Sequence, residues 1–322
     1  MANHIVAEAH QLLQAGQAQN AVNLLGMSAS RGDPDALFML AELSLVGSVV
    51  HRDLSLARDL FRRSADAGSE AGAAVYRAFV ANGTGGPPDW SRAVELLQEA
   101  AGSDPKAARE LAIISSMELT ANGDPAAKPE GEELSSSPEA HLFRGIFTPA
   151  ECDFLIAEAL LRIGPSLVVD PATGRQVPNP VRTSEAAAFP LAVESPAIHA
   201  LCRRLAEASG TDVSQGEPLQ VLRYSAGQEY KPHFDAIDQT ENQRVLTFLV
   251  YLNDDFQGGE TEFLSTGLKV KGGKGDGLLF RNADQSGQPD LNSRHAGLPP
   301  TGGIKYLASR WIRQRSPLIT HT

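Results

Sequence analysis

Seven short runs decide the fold: LQVLRYSAG (219–227), KPHFDAI (231–237), RVLTFLVYLND (244–254), TEFLS (261–265), LKVKGG (268–273), DGLLFRN (276–282) and KYLASRWIRQR (305–315). They are rich in β-branched and aromatic residues and punctuated by Gly, Asp or Asn, so they read as strands separated by turns. Short strands at this spacing predict an antiparallel sandwich or barrel. Upstream, Thr148-Pro149-Ala150-Glu151 is a capping box with Pro at the first helical position, predicting a helix through about Arg162. Ser195-Pro196 opens a second helix, AIHALCRRLAEA. Residues 141–322 are thus expected to form a β-core flanked by helices.

The grammar before residue 120 differs. It is rich in Ala and Leu, which favours helix, and it repeats. Ala21, Ala57 and Ala93 recur every 36 residues, as do Leu24, Leu60 and Leu96, then Leu25, Phe61 and Leu97, then Ala29, Ala65 and Ala101. Gly32 and Gly68 share that offset, with Asp104 in the third place, so the third unit lacks its terminal Gly. Such a period predicts a solenoid in which each unit buries its apolar face against its neighbours. ALFMLAELSLVG (36–47), HRD (51–53) and LARDLFRRSADAG (56–68) resemble Sel-type, tetratricopeptide-like repeats over residues 20–117. That resemblance implies a protein- or peptide-binding array, although the units could equally serve only to support the domain behind them. Residues 120–140, TANGDPAAKPEGEELSSSPEA, carry almost no large apolar side chain and read as a linker between domains 1–119 and 141–322.

The net charge of −11 is a poor match for phosphate backbones, so nucleic acid is disfavoured as a partner. No run approaches the ~18 apolar residues of a membrane span, so no membrane partner is expected. MANHIVAEAH has neither a basic start nor an apolar core, so no signal peptide is expected. The expected location is cytoplasmic, with Cys152 and Cys202 reduced and reading as small buried hydrophobes. His199 reads as a structural histidine of its helix. KGGKGDG (271–277) lacks the spacing of a phosphate-binding loop and reads as a turn feeding the next strand.

The chemistry concentrates in HFD. On a strand, His233 and Asp235 face the same way and could converge on one ion. His295, 62 residues later, could complete a two-histidine, one-carboxylate face, which leaves three positions open on iron(II). No Cys lies near either His, and H-E-x-x-H is absent, so structural zinc and zinc-protease readings lack support. Lys305 follows His295 by ten residues on the last apolar strand. A lone ammonium is costly to bury there, so a bound carboxylate is an attractive partner.

LRYSAGQEYKPHFDA, RVLTFLVYLNDDFQGGETEF and HAGLPPTGGIKYLASRW, with FTPAECDFLI (147–156) and VRTS (181–184) upstream, resemble the catalytic core of the prolyl 4-hydroxylases over residues 142–315. These are iron(II)- and 2-oxoglutarate-dependent dioxygenases on a double-stranded β-helix (jelly-roll). The resemblance implies His233, Asp235 and His295 as iron ligands. It implies Lys305 and Tyr224 as holders of the far carboxylate of 2-oxoglutarate, with O2 as co-reactant and ascorbate as a further cofactor. Tyr230, Arg244 and Trp311 match substrate-side positions, as does Glu217 more distantly. Tyr224 and Tyr230 also suit half-buried sheet aromatics, and Arg244 could simply pair with an acid. Pro299-Pro300, Tyr306 and Arg313 depart from the family pattern, none of them in the metal set.

The expected function is hydroxylation of a peptidyl residue, proline first, in a protein docked partly by the repeats. A hydroxylase of a free amino acid or small metabolite is the alternative within the enzyme class. A protein-binding scaffold carrying a vestigial oxygenase domain is the alternative outside it.

Overall fold

The 36-residue period becomes a succession of antiparallel helices. The computed structural model describes residues 4–169, 176–178 and 181–317. Its first part comprises α1 (His4–Gln14), α2 (Ala18–Ala29), α3 (Pro34–Val46), α4 (Leu54–Asp66), α5 (Glu70–Asn82), α6 (Trp90–Ala101) and α7 (Pro105–Ser116). The repeated columns fall on α2, α4 and α6, where Ala21, Ala57 and Ala93 are fully buried beside Leu25, Phe61 and Leu97. Phe61 also packs edge-on against Phe38 and Phe79, with ring centroids 5.3 and 5.4 Å apart.

The caps keep the same period. Asp53 and Asp89 each accept a backbone N–H at the start of α4 and α6, and Asp33 and Ser69 do so for α3 and α5. Gly47 and Gly83 end α3 and α5 in the left-handed region, φ 77° at both. A Cβ at Gly47 would lie 2.6 Å from that of Arg52, so this turn admits no side chain. Gln17, where the period would place an Asp, makes no side-chain cap.

Two compact units divide the chain. Unit 1 holds Met1–Ser116 with Ala121–Gly123 and Leu191–His199; unit 2 holds Met117–Thr120, Asp124–Pro190 and Ala200–Thr322. Inside unit 1, Leu191 and Ala192 pack on the helical core, and Asn82 donates to the Leu191 carbonyl at 3.0 Å. Glu110 of α7 accepts the Ala197 N–H at 3.0 Å, capping the start of α9 (Pro196–Ser209). His199 is buried against Glu194, Nδ1 to Oε1 2.6 Å, in the structural role expected of it.

Unit 2 is built on two antiparallel sheets. The larger runs, in spatial order, through Glu132–Ser136, Glu139–Phe143, Gly277–Arg281, Arg244–Tyr251, Lys305–Arg313, Leu219–Tyr224, Glu185–Phe189 and Gly164–Pro165. The smaller runs through Leu268–Val270, Thr261–Phe263, His295–Gly297 and Tyr230–His233. One apolar core joins them, taking Leu222, Leu249, Phe280 and Leu307 from the larger sheet and Phe263 and Val270 from the smaller. This is the jelly-roll. Both faces of the larger sheet's central strands are covered, so Lys305–Arg313 is buried almost throughout rather than alternating. Helix α8 (Pro149–Leu160) carries the expected capping box, with the Thr148 and Glu151 side chains bonding each other's backbone N–H. The same Glu151, almost fully buried, takes a two-point ion pair from Arg204 of α9 at 2.7 and 2.8 Å. Cys152 and Cys202 are both buried, as expected of them.

The segment expected as a linker is only partly one. Glu132–Ser136 and Glu139–Phe143 form a hairpin at the edge of the larger sheet, and Leu142 registers against Leu278. The outer strand is mostly exposed and needs no large apolar residues, so composition alone conceals it.

Because Glu110 satisfies a buried helix N-terminus, Glu110→Ala is expected to cost about 1–3 kcal/mol. Glu110→Gln, which keeps an acceptor, should cost less. Urea unfolding of the two variants beside the unchanged protein measures both.

Candidate metal centre

The site starts from one strand register. In the smaller sheet His295 pairs directly with His233, which brings two rings distant in sequence to 4.3 Å between centroids. Asp235 lies two residues past His233, and one donor atom from each of the three lies within 4.8 Å of the others. Among the described residues this is the one cluster of His, Cys, Asp or Glu able to hold a metal.

Protonation is fixed locally. His233 Nδ1 faces the Lys231 carbonyl at 2.7 Å, and His295 Nδ1 faces the Ser293 carbonyl at 2.9 Å. A carbonyl only accepts, so each Nδ1 carries a proton and each Nε2 is the ring nitrogen that faces Asp235. The Nε2 of His233 is buried and has no hydrogen-bond partner, as a metal ligand would be without its ion. Burial pushes His295 down to about 4, keeping it neutral as coordination requires. Burial alone would raise Asp235; the adjoining His233 and His295 rings and the hydroxyl of Thr247 outweigh it and hold the carboxyl well below its usual range. Two neutral imidazoles and an ionised carboxylate fit a divalent iron ion.

The same cavity, about 30 Å³ in volume, is lined by Lys305, Tyr224, Tyr230 and Trp311 beside the three donors. Lys305 is 2% exposed and sits opposite Tyr224 in the sheet, its Nζ 5.5 Å from the Tyr224 and Tyr251 rings. It donates to the Gly259 carbonyl at 2.7 Å and has no carboxylate in ion-pair range among the described residues. Burial pushes its ammonium down to about 7, with Glu260 opposing and Lys271 assisting. Tyr224 is pushed up to about 12 by burial, so its hydroxyl remains a donor. Tyr230 stacks on the His233 ring at 3.4 Å and 15°.

Arg244, expected on the substrate side, is absent from the cavity lining. Its guanidinium makes a two-point pair with Glu217 at 2.7 and 2.8 Å and lies 3.8 Å from the Trp311 ring, so it meets the cavity through that indole. Arg313 also donates to Glu217, at 2.6 Å. Sequence reasoning assigned no role to Arg182, which lines the cavity 5.6 Å from the Tyr230 ring, although VRTS was part of the resemblance. It also passed over Thr247, whose hydroxyl donates to Asp235 Oδ2 at 2.6 Å.

The fold and the donor set fit a site of the iron-dependent oxygenase type. The family model described as "2OG-Fe(II) oxygenase superfamily" matches residues 219–313. Prolyl 4-hydroxylase 1 of Arabidopsis thaliana is 38% identical over 204 residues, which span 58% of this chain and 72% of that protein. Prolyl 4-hydroxylase 2 of the same plant is 33% identical over 218 residues, 59% of this chain and 73% of that protein. Among solved structures, a viral collagen prolyl hydroxylase from Paramecium Bursaria Chlorella virus-1 is 29% identical over 55% of this chain and 96% of its own, TM-score 0.44. The chain belongs to the prolyl 4-hydroxylase family of 2-oxoglutarate-dependent dioxygenases. Membership implies iron(II), 2-oxoglutarate and O2.

Gly259 has φ 74°, and a Cβ there would lie 2.9 Å from the Phe256 ring and 3.2 Å from Lys305 Cδ. Gly259→Ala is therefore expected to lower stability by about 1–3 kcal/mol, read as a fall in thermal midpoint.

Proposed function

We propose that the protein hydroxylates a prolyl residue of a protein or peptide, using iron(II) held by His233, Asp235 and His295 and 2-oxoglutarate held by Lys305 and Tyr224. The observation that carries this is one cavity containing both a three-donor face and a buried ammonium that has no carboxylate in ion-pair range among the described residues. The choice of proline is supported by the prolyl 4-hydroxylases that share a third or more of their aligned residues with this chain. Bound iron supplies the oxygen activation that couples decarboxylation of 2-oxoglutarate to hydroxylation of a C–H bond.

The residues have separable tasks. The three donors would hold the ion and, being only three, would leave it open to cosubstrate and oxygen. Lys305 and the Tyr224 hydroxyl receive the far carboxylate, which orients the 2-oxo acid end toward the donors. Tyr230 braces His233 by stacking, and Trp311, backed by Arg244, walls the substrate side. The apolar lining of Leu222, Leu249 and Leu307 excludes water from the reacting centre. Ascorbate acts in this reading as an auxiliary reductant, and the helical repeats contribute to docking the protein substrate. A cytoplasmic location belongs to the same reading, with Cys152 and Cys202 both buried; among the described residues no helix is long and apolar enough to cross a membrane.

His233→Ala or Asp235→Ala is expected to abolish succinate formation; release at the unaltered rate would end the oxygenase reading. Lys305→Met should raise the 2-oxoglutarate KM while sparing iron affinity. Stranding one member of a desolvated charge pair costs about 2–5 kcal/mol, roughly thirtyfold to several thousandfold in affinity.

A pH dependence follows. With Lys305 near 7 in the ligand-free cavity, the ammonium is increasingly lost above that pH, yet pairing with a carboxylate requires it. Binding must then take up a proton, so the 2-oxoglutarate Kd should rise about tenfold per pH unit above 7. Calorimetry in buffers of differing ionisation enthalpy reads that proton directly, and Lys305→Met should abolish the slope.

A further inference from the structure

Asp235 is held by a relay whose direction can be read from the donors alone. Thr247 lies on the strand Arg244–Tyr251, opposite Phe280, and is buried. Its Oγ1 lies 2.6 Å from Asp235 Oδ2 and 2.8 Å from Asn282 Nδ2. A hydroxyl has one proton. Because the amide nitrogen can only donate, Thr247 accepts from Asn282 and its own proton is directed to Asp235. The order is Asn282 to Thr247 to Asp235.

Asn282 is fully buried, and its Oδ1 has no hydrogen-bond partner. An unsatisfied buried acceptor costs about 1–3 kcal/mol. The benefit falls elsewhere: turned about, this amide would present Oδ1 to Thr247 and draw the hydroxyl proton away from Asp235. The backbone pins Asn282 on both sides, its N–H donating to the Val245 carbonyl and its carbonyl accepting from Asp290, each at 2.8 Å. A fixed amide therefore aims a fixed hydroxyl.

The consequence lies at the carboxylate. Oδ1 lies 3.5 Å from His233 Nε2, while Oδ2, 3.7 Å from His295 Nε2, is the oxygen already engaged by Thr247. We propose that Thr247 and Asn282 are positioning residues that hold Asp235 as a one-oxygen metal ligand. Without them the carboxylate can rotate and offer both oxygens, occupying a position that a chelating 2-oxo acid requires. The inference rests on the proposed metal site.

Cobalt(II) titration of the full chain, followed by visible absorption, tests this without turnover. Thr247→Val is nearly isosteric and should weaken cobalt affinity about 10- to 100-fold. It should also alter the cobalt spectrum and weaken 2-oxoglutarate binding to the metal-loaded protein. Thr247→Ser should restore all three. Asn282→Ala should shift the same readouts in the same direction by less, and it substitutes for Thr247→Val should that variant fail to fold. A folded variant with unaltered cobalt affinity, spectrum and cosubstrate binding overturns the relay, as does a loss of stability alone. His233→Ala is the separate control. Unchanged cobalt binding there overturns the metal site itself, whereas loss there with no effect at Thr247 overturns only the relay.

Discussion

The pairing of His295 with His233 across two short strands is the constraint on which the site depends. Side chains alternate along a strand, so a slip of one residue would turn one imidazole away from the other. The strands therefore set how close the rings lie, while ring orientation is set within each strand. In both cases the imidazole donates to the carbonyl two residues before it, Lys231 or Ser293. Distance is thus a property of the sheet and tautomer a property of local backbone. Asp235 then needs only to be aimed, and Thr247 on the larger sheet does that. The two histidines thus stand on the smaller sheet, and the carboxylate beside them is bonded from the larger one.

The same burial acts on His295, Lys305 and Tyr224, and the sign of its effect follows the charge of each. It pushes His295 and Lys305 down and Tyr224 up, in each case toward the uncharged form. For His295 this favours coordination. For Lys305 it leaves an ammonium poorly compensated by the Gly259 carbonyl and two aromatic rings. A residue of that kind on a strand covered on both faces costs stability, and a dicarboxylate returns the missing charge. Gly259 belongs to this account, since its bare backbone is what lets the carbonyl and the Lys305 stem lie against each other.

How much of this was legible depends on whether a signal was periodic, local or tertiary. The 36-residue columns, the Thr148 capping box and the turn before Gly277 are periodic or local, and they stand where the sequence puts them. The set His233, Asp235, His295, Lys305 and Tyr224 was legible only as an ordered series resembling a family, because H-x-D by itself is common. Other features leave no such trace. The hairpin 132–143 has the composition of a linker because its outer strand faces water. Thr247 and Asn282 look like an ordinary strand former and a turn residue until the sheets bring them behind Asp235. Nothing local to Leu191–His199 indicates that it packs with the helical unit rather than the β unit.

Arg313 gives the departures from the family pattern a physical sense. One carboxylate, Glu217, serves two guanidinium groups, Arg244 and Arg313, and all three side chains are largely withdrawn from water. The carboxylate would be costly to bury alone, and the second arginine brings a hydrogen bond to the Asn242 carbonyl as well as its charge. Arg244, held at two points by Glu217, has little freedom left, so its plane lies fixed against Trp311. The indole is thereby positioned from behind by ion pairs that do not enter the cavity. A substitution at 313 can in this way shift the Trp311 wall of the cavity without touching His233, Asp235, His295 or Lys305.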